Sequence, residues 1–523
     1  MSNFATRIKL FLAFSAIPAY AATCESLTSL KFHDATIALA QSVEAGTFTP
    51  PGATNPLKNV PAFCRVTGVM RPSPESDIRF EVWMPASGWN GKFQGVGNGG
   101  FAGSISYGGM AAPLARGYAT ASTDTGHSGN DASWALGHRE KLIDYGYRGI
   151  HEMTVKAKAI VEAYYGKAPS KSYFASCSNG GRQALMEAQR YPGDYDGIIS
   201  GAPANAFTRI GIGFVWNQQA LRKDAASYIP PAKLKTIESG ALAACDARDG
   251  AADGLIEDPR QCHFDPAVLL CKGPDSVDCL TAPQVETLRK IYEGPKDPKG
   301  KSIFPGFVPG GETGRGGWGA WIDNEEPEKS AQYFFGTQMF RNMVFENPAW
   351  DFKTLNYGKD VALIQKKLAP VLNATDPNLK PFEARGGKLI LYHGWCDAAL
   401  TPLNTINYYQ EVVAKVGARK AERFVRLYMV PGMQHCGGGP GPDQFWGRAG
   451  KPDAGNDLTL ALERWVEEGI APTTITASKI EGGRVVRTRP LCPYPQVARY
   501  KGSGSLDEAE NFACVASGAP GAK

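Results

Sequence analysis

Beyond its first 25 residues the sequence has no apolar run of 18 residues, which excludes an evident membrane-spanning helix in that part of the chain. It also lacks a strong excess of one charge. The 523 residues carry 56 Lys and Arg against 51 Asp and Glu, a formal +5, and Arg7 and Lys9 of the leader described below supply two of those charges. A mature chain near neutrality has no basic field of the kind nucleic acid or an anionic membrane requires, so neither is expected as a main partner. Histidine is scarce, with 7 residues, and His127, His138 and His151 stand without metal-ligand spacing. Structural hydrogen bonding is expected of them. None of the 11 cysteines falls in a zinc-binding pattern either.

What is present begins with a leader. Arg7 and Lys9 precede the apolar Leu10–Ile17, and Ala19-Tyr20-Ala21 follows. This charged, apolar and small-residue order reads as a secretory signal peptide over residues 1–21, cut after Ala21, and implies export to the periplasm or beyond. In an oxidising compartment the cysteines read as bridges. Sequence alone does not fix their connectivity. Pairs close in sequence are Cys245 with Cys262, Cys271 with Cys279, and Cys492 with Cys514, while Cys24 with Cys64 would tie down the mature N-terminus. An odd count leaves one thiol over, and Cys396 is the candidate, read as a small buried hydrophobe.

The length suits two to four domains, or one large domain with an insertion. Residues 78–121 read as strands with turns between them, and Gly91–Gly97 runs into Asn98-Gly99-Gly100, where the backbone can approach a ligand closely. Helical spacing over 147–165 ends at Gly166, and the apolar 195–201 reads as a strand. Between these lies the most informative stretch, Ser172–Arg182, in which a short apolar run meets Ser178 and then Gly180-Gly181 before a helix-favouring segment to Arg190. It predicts a strand, a tight turn and a helix, with Ser178 at the turn, above a helix N-terminus whose free N–H groups stabilise developing negative charge. The motif reads S-x-S-x-G from Ser176, Ser178 and Gly180, where the usual nucleophile elbow reads G-x-S-x-G.

From about 205 to 383 the strand–helix alternation gives way to a segment rich in Gly, Pro, Cys and aromatics, read as an inserted lid domain. Trp318, Trp321, Phe334, Phe335, Phe340 and Trp350 would divide between a pocket wall and the lid's own core. Alternation resumes with a strand at Lys388–Gly394, a helix near 404–416, a strand at 423–430 and a helix near 458–468. Asp397 and His435 follow the two strands. Ser178, Asp397 and His435 thus stand in the chain order of an α/β-hydrolase triad, each just past a strand. The fold expected is an α/β-hydrolase core with a mostly parallel sheet, built from residues 22–204 and 384–523, with the lid inserted. Cys177 precedes Ser178 and Cys436 follows His435, so a bridge between them would hold nucleophile and base together.

The Cys177-Ser178, Asp397 and His435-Cys436 pattern resembles the tannase and feruloyl esterase family of secreted α/β hydrolases, whose relatives include the hydrolase of mono(2-hydroxyethyl) terephthalate. The likeness extends over nearly the whole mature chain, including Gly97–Phe101 and Asp124–His127. It implies that Cys177 and Cys436 are bridged. It also bears on Cys245–Asp258, where Asp246, Asp249 and Asp253 are hard oxygen ligands among glycines and the carbonyls of Ala251 and Leu255 could complete a calcium shell without EF-hand spacing. An acidic turn would look the same; the resemblance favours a structural calcium in the lid. No organic cofactor is implied.

The function expected is a serine esterase acting on small-molecule aromatic esters, hydroxycinnamoyl ahead of galloyl, with terephthalate monoesters as a further alternative. Backbone N–H groups of Asn179 and of Gly99 or Gly100 would hold the oxyanion. Arg315 and Arg341 are candidates to meet a substrate carboxylate. The rival of another class is a catalytically inactive, calcium-stabilised binding protein. Nothing in the sequence sets an oligomeric state.

Overall fold

Nine strands form the sheet that positions everything else. In chain order they are β1 (Ala35–Val43), β2 (Phe63–Met70), β3 (Ile78–Pro85), β4 (Lys92–Gly95), β5 (Ala119–Thr123), β6 (Lys171–Cys177), β7 (Gly197–Gly201), β8 (Lys388–Gly394) and β9 (Val425–Val430). Across the sheet the order is β1-β2-β3-β5-β4-β6-β7-β8-β9. The first three neighbouring pairs, out to β3 with β5, are antiparallel, and every pair from β5 with β4 to β8 with β9 is parallel. This is a computed structural model, and it describes residues 23–101 and 103–517. The expected signal peptide lies outside the described residues.

The parallel half is covered on both faces, which is why its strands read as unbroken apolar runs: β7 is buried throughout and β8 from its second residue. Phe174 and Ile198 point to one face, where Met153, Ala157 and Ile160 of α1 (Gly149–Tyr165) and Leu185 and Ala188 of α2 (Asn179–Arg190) pack on them. Their sequence neighbours Tyr173 and Ile199 point to the other face, against Leu462 and Trp465 of the C-terminal helix Leu458–Glu468. Each large aliphatic side chain so buried contributes about 1.5–3 kcal/mol. That helix starts where it does because Asp457 accepts hydrogen bonds from the N–H groups of Thr459 and Leu460, and it stops at Gly469, whose φ is +75°.

Between β7 and β8 the chain leaves the sheet for a long excursion of helices and turns. Two of its helices, α3 (Phe207–Leu221) and α4 (Ala331–Gln338), bear on the site. Phe207, Ile210 and Phe214 of α3 share a core cluster with Phe340 and Trp350 of the excursion and with Phe101 and Tyr145 of the sheet domain, so the insertion is packed onto the sheet domain through an apolar core. After β8 come α5 (Pro402–Val416) and, after β9, α6 (Leu458–Glu468).

Three local expectations need correction. Residues 78–121 are not all strand and turn: Tyr107–Ala115 is a helix, because Met110 and Leu114 fall four apart and are both buried. The helix expected from Tyr147 starts earlier, as an α-helical turn at Arg139–Ile143 that runs through a π segment at Asp144–Arg148, where Arg148 reaches back to Asp144 and Glu140, and is α-helical again from Gly149. Arg423 and Phe424 close a short helix, Ala418–Phe424, and β9 starts only at Val425.

Five disulfides are formed, Cys24–Cys64, Cys177–Cys436, Cys245–Cys262, Cys271–Cys279 and Cys492–Cys514, with Cα atoms between 4.9 and 6.0 Å apart. Cys396 is the free, buried cysteine. Its thiol donates to the Gly310 carbonyl at 3.0 Å, and burial, reinforced by the charges of Glu312 and Glu238, pushes it up from the usual thiol range.

Candidate active site

Ser178 stands between β6 and α2 with φ +66° and ψ −126°, a backbone conformation L-residues rarely adopt. The turn is held from all sides. Ser178 N–H donates to Gly201 O at 2.9 Å, and Ser178 O accepts from the N–H groups of Arg182 and Ala204. The glycines that follow are required by space: a Cβ on Gly180 would overlap the Ser176 side chain, and one on Gly181 would run into the Gly201 carbonyl.

The loops after β8 and β9 are fastened to each other before they present their side chains. Trp395 N–H donates to Val430 O at 2.9 Å and Cys396 N–H to Met433 O at 3.0 Å. Asp397 is then fully buried, with Oδ1 accepting the N–H groups of Ala399 and Leu400 at 2.8 Å each. Its Oδ2 lies 2.8 Å from His435 Nδ1, and His435 Nε2 lies 2.8 Å from Ser178 Oγ. A carboxylate only accepts, so His435 Nδ1 carries the hydrogen and Nε2 is left to accept from the serine hydroxyl. Burial alone would raise the Asp397 carboxyl; the His435 charge and the hydrogen bonds from His393 and His435 outweigh it and hold the group well below the usual carboxylate range. The Cys177–Cys436 disulfide joins the residues flanking Ser178 and His435, with Cα atoms 6.0 Å apart.

Asn179 is the first residue of α2, so its N–H has no acceptor within the helix, and the residue lines the cleft. Its side chain is engaged below, accepting from Arg182 Nε at 2.7 Å and from the Tyr145 hydroxyl at 3.1 Å. Gly100 lines the same cleft with φ +55°, its carbonyl fixed by the Tyr145 hydroxyl at 2.7 Å. Gly99 is exposed and is not part of the cleft wall. The glycine loop is pinned by Asn98, which exchanges hydrogen bonds with Gln183 and donates to Thr123 O. His127 holds the far side, its Nε2 donating to Phe101 O at 2.6 Å.

The cleft beside Ser178 is apolar. Phe101, Phe207, Ile210, Phe214, Trp321 and Phe335 form most of its wall, with Met339 and Leu400 closing it. Trp321 stands edge-on to the His435 ring at 5.2 Å. Of the six aromatics singled out in this segment of the sequence, Trp321 and Phe335 line the cleft, Trp318, Phe340 and Trp350 are buried away from it, and Phe334 is partly buried. The α3 contribution is legible in the spacing of Phe207, Ile210, Gly211 and Phe214, one face of a helix, within a segment whose composition conveys only an inserted domain. Neither candidate arginine lines the cleft. Arg341 Nε donates to Trp350 O, and Arg315 is exposed on a glycine loop.

The acidic loop folds back on itself. Asp246 accepts from the N–H groups of Asp253 and Gly254, Asp249 from Ala251 and Asp253 from Leu255. Asp253 is also ion-paired with the buried Arg489. Burial, with a further push from Asp253 and Asp246, raises Asp249 to about 7, against the Ala251 N–H and the Arg489 charge. Glu257 is buried beside them with Oε2 unpartnered. The donors are all hard oxygens, and the Arg489 charge acts on Asp249, Asp253 and Glu257, a set whose chemistry would suit a further cation. His138 and His151 pair with Glu75 and Asp194; His151, Glu187 and Asp194 bring donor atoms within 4.8 Å of one another, with Lys158 donating to the Asp194 carbonyl beside them.

A parallel sheet with a strained serine at a strand–helix turn, and an acid and a histidine following later strands in that order, defines an α/β hydrolase. The family model described as tannase and feruloyl esterase matches residues 64–515. An esterase of Xanthomonas campestris pv. campestris, itself described as uncharacterised, is 44% identical over 94% of this chain and 91% of its own. The mono(2-hydroxyethyl) terephthalate hydrolase of Piscinibacter sakaiensis is 35% identical over 89% and 86%. The crystal structure of feruloyl esterase B from Aspergillus oryzae superposes with a TM-score of 0.88 at 29% identity, covering 94% of this chain and 99% of that one. The chain belongs to the tannase and feruloyl esterase family and is a carboxylic ester hydrolase.

Proposed function

We propose that the protein is an exported serine esterase for esters of uncharged aromatic acids, of the feruloyl type. Ser178 attacks the ester carbonyl, His435 takes its proton and returns it to the leaving alcohol, and Asp397 orients the ring and stabilises the imidazolium. The N–H groups of Asn179 and Gly100 hold the oxyanion, a contribution of roughly 3 kcal/mol per donor in comparable enzymes. The observation that supports the substrate reading is the cleft wall, where among the described residues His435 is the one ionisable side chain and, Ser178 and Asn179 apart, the rest is apolar.

An aromatic ring fills such a wall, whereas a polar substituent left unpaired against it costs about 1–3 kcal/mol and an unpaired carboxylate more. Ferulate, with one hydroxyl and one methoxy group, is therefore preferred over gallate with three hydroxyls, and gallate over a terephthalate monoester. Comparing kcat/KM for methyl ferulate, methyl gallate, a terephthalate monoester and a butyrate ester tests this. Ferulate should exceed the terephthalate monoester and butyrate by tenfold or more; a terephthalate monoester or butyrate in the lead would overturn the reading.

Calcium held by Asp246, Asp249 and Asp253 with the Ala251 and Leu255 carbonyls would be structural and would compete with Arg489 for Asp253. Export rests on the leader at residues 1–21 and is supported by the disulfides, which persist in oxidising compartments.

A further inference from the structure

Asp397 is approached by two histidines, of which the reaction just described uses one. His393, the penultimate residue of β8, is fully buried, and its Nε2 lies 2.9 Å from Asp397 Oδ2, the same oxygen that His435 Nδ1 reaches at 2.8 Å. Nε2 is also 3.1 Å from the Leu400 carbonyl, and Nδ1 is 2.7 Å from Thr405 Oγ1 on α5. Both partners of Nε2 can only accept, so Nε2 carries the hydrogen, and the Thr405 hydroxyl completes a neutral ring by donating to Nδ1. With the Ala399 and Leu400 N–H groups on Oδ1, all four lone-pair positions of the carboxylate are filled, and two imidazoles share one oxygen.

We propose that His393 is a positioning residue of this esterase, fixing the orientation of Asp397 and setting, through it, how strongly His435 holds a proton. The inference rests on the assignment of Ser178, His435 and Asp397 made above. A hydrogen bond donated to a carboxylate stabilises its charge and disperses it. With His393 in place, less of the Asp397 charge falls on His435, so the imidazolium is held less tightly and the free base survives to lower pH. Without it, Oδ2 keeps a single partner, the imidazolium gains, and the carboxylate is free to turn out of line with the ring it orients. His393 does not line the substrate cleft, so substrate binding should be untouched.

The ionisable neighbours are few. Asp397 and, through it, His435 face the ring from the loops after β8 and β9, α5 contributes the neutral Thr405, and the Glu312 and Glu238 charges of the insertion act on the adjacent Cys396.

The test compares full-length His393→Phe and His393→Gln with wild type, measuring kcat and KM on an aryl ester from pH 5 to 9, per titrated active site. His393→Phe removes the donor. It should move the acidic limb of the kcat/KM profile upward by about 0.5 pH unit or more and lower kcat by about tenfold, with KM within about twofold. In His393→Gln the side-chain amide can still donate to Oδ2, and most of the kcat and the limb should return. Should the Phe variant not fold, Thr405→Val, which removes the bond that sets the ring's orientation, should shift the limb in the same direction by less. Folded variants with lowered Tm but an unmoved acidic limb would overturn the proposal and leave His393 as packing. Ser178→Ala separates the two levels: turnover in it would remove the triad itself, whereas an inactive Ser178→Ala beside wild-type profiles for the His393 variants would remove this inference alone.

Discussion

Ser176 occupies the place of the first glycine of the usual elbow, and the space it needs comes from two residues without side chains. Its hydroxyl fills the volume that a Cβ on Gly180 would take and lies 3.0 Å from where one on Gly97 would sit. The departure from the motif was legible in the sequence; its compensation was not, because Gly97 is 79 residues away and meets Ser176 only through the sheet. His393 escaped notice for a related reason. A histidine four residues before an acid at a strand end is an ordinary pattern, and it acquires meaning only when β8 and the loop after β9 bring His435 to the same oxygen. Asp124 is a buried carboxyl whose environment gives a prediction at this scale. Its Oδ1 accepts the N–H groups of Arg79 and Gly126 at 2.9 Å, but burial dominates and pushes it up to about 7. An acid whose folded value lies above its unfolded value of about 3.9 favours the folded state most below that unfolded value, and the advantage is lost as pH rises to about 7. Asp124→Asn keeps an acceptor and has no charge to bury. Its Tm relative to wild type should therefore climb between pH 4 and 7 and level off above; parallel Tm curves over that range would contradict the burial argument.

At the scale of elements, what the sequence conveyed best was periodicity and punctuation. The strand–turn–helix at Ser178 and the helix at Leu458–Glu468 follow from apolar spacing closed by Gly or by an Asp cap. The helix at Tyr107–Ala115 did not, since Gly108, Gly109 and Pro113 are poor helix residues and tertiary burial of Met110 and Leu114 decides the outcome. The insertion was legible as a change in composition, while which of its aromatics turn toward Ser178 depends on how α3 and α4 pack on each other. Its acidic loop, clamped by Cys245–Cys262, is the element on which metal removal should tell. If calcium binds there, chelation should lower Tm and added calcium restore it, with a stabilisation of about 2.7 kcal/mol at a hundredfold excess over Kd. Asp249→Asn should abolish the response. Identical melting with chelator and with calcium would leave the loop an acidic turn whose counter-charge is Arg489.

For the whole molecule, the disulfides and the insertion serve one geometry. Trp321, Phe335 and Met339 of the excursion between β7 and β8 line the cleft beside Ser178, and Cys177–Cys436 ties the elbow after β6 to the loop after β9, so Ser178, Asp397 and His435 come from distant parts of the chain yet meet past the ends of parallel strands. Chain order alone foretold that edge, because each of the three residues follows a strand; the apolar character of the cleft above it needed the folded insertion. The central claim is that this arrangement makes Ser178 a nucleophile. It is tested most directly by treating the purified protein with a fluorophosphonate and reading the site and stoichiometry of phosphonylation by peptide mass spectrometry. The account predicts one label per chain, on Ser178, lost in His435→Ala, on a mature chain beginning at Ala22. A folded protein that remains unlabelled, or carries its label on another serine, would contradict it.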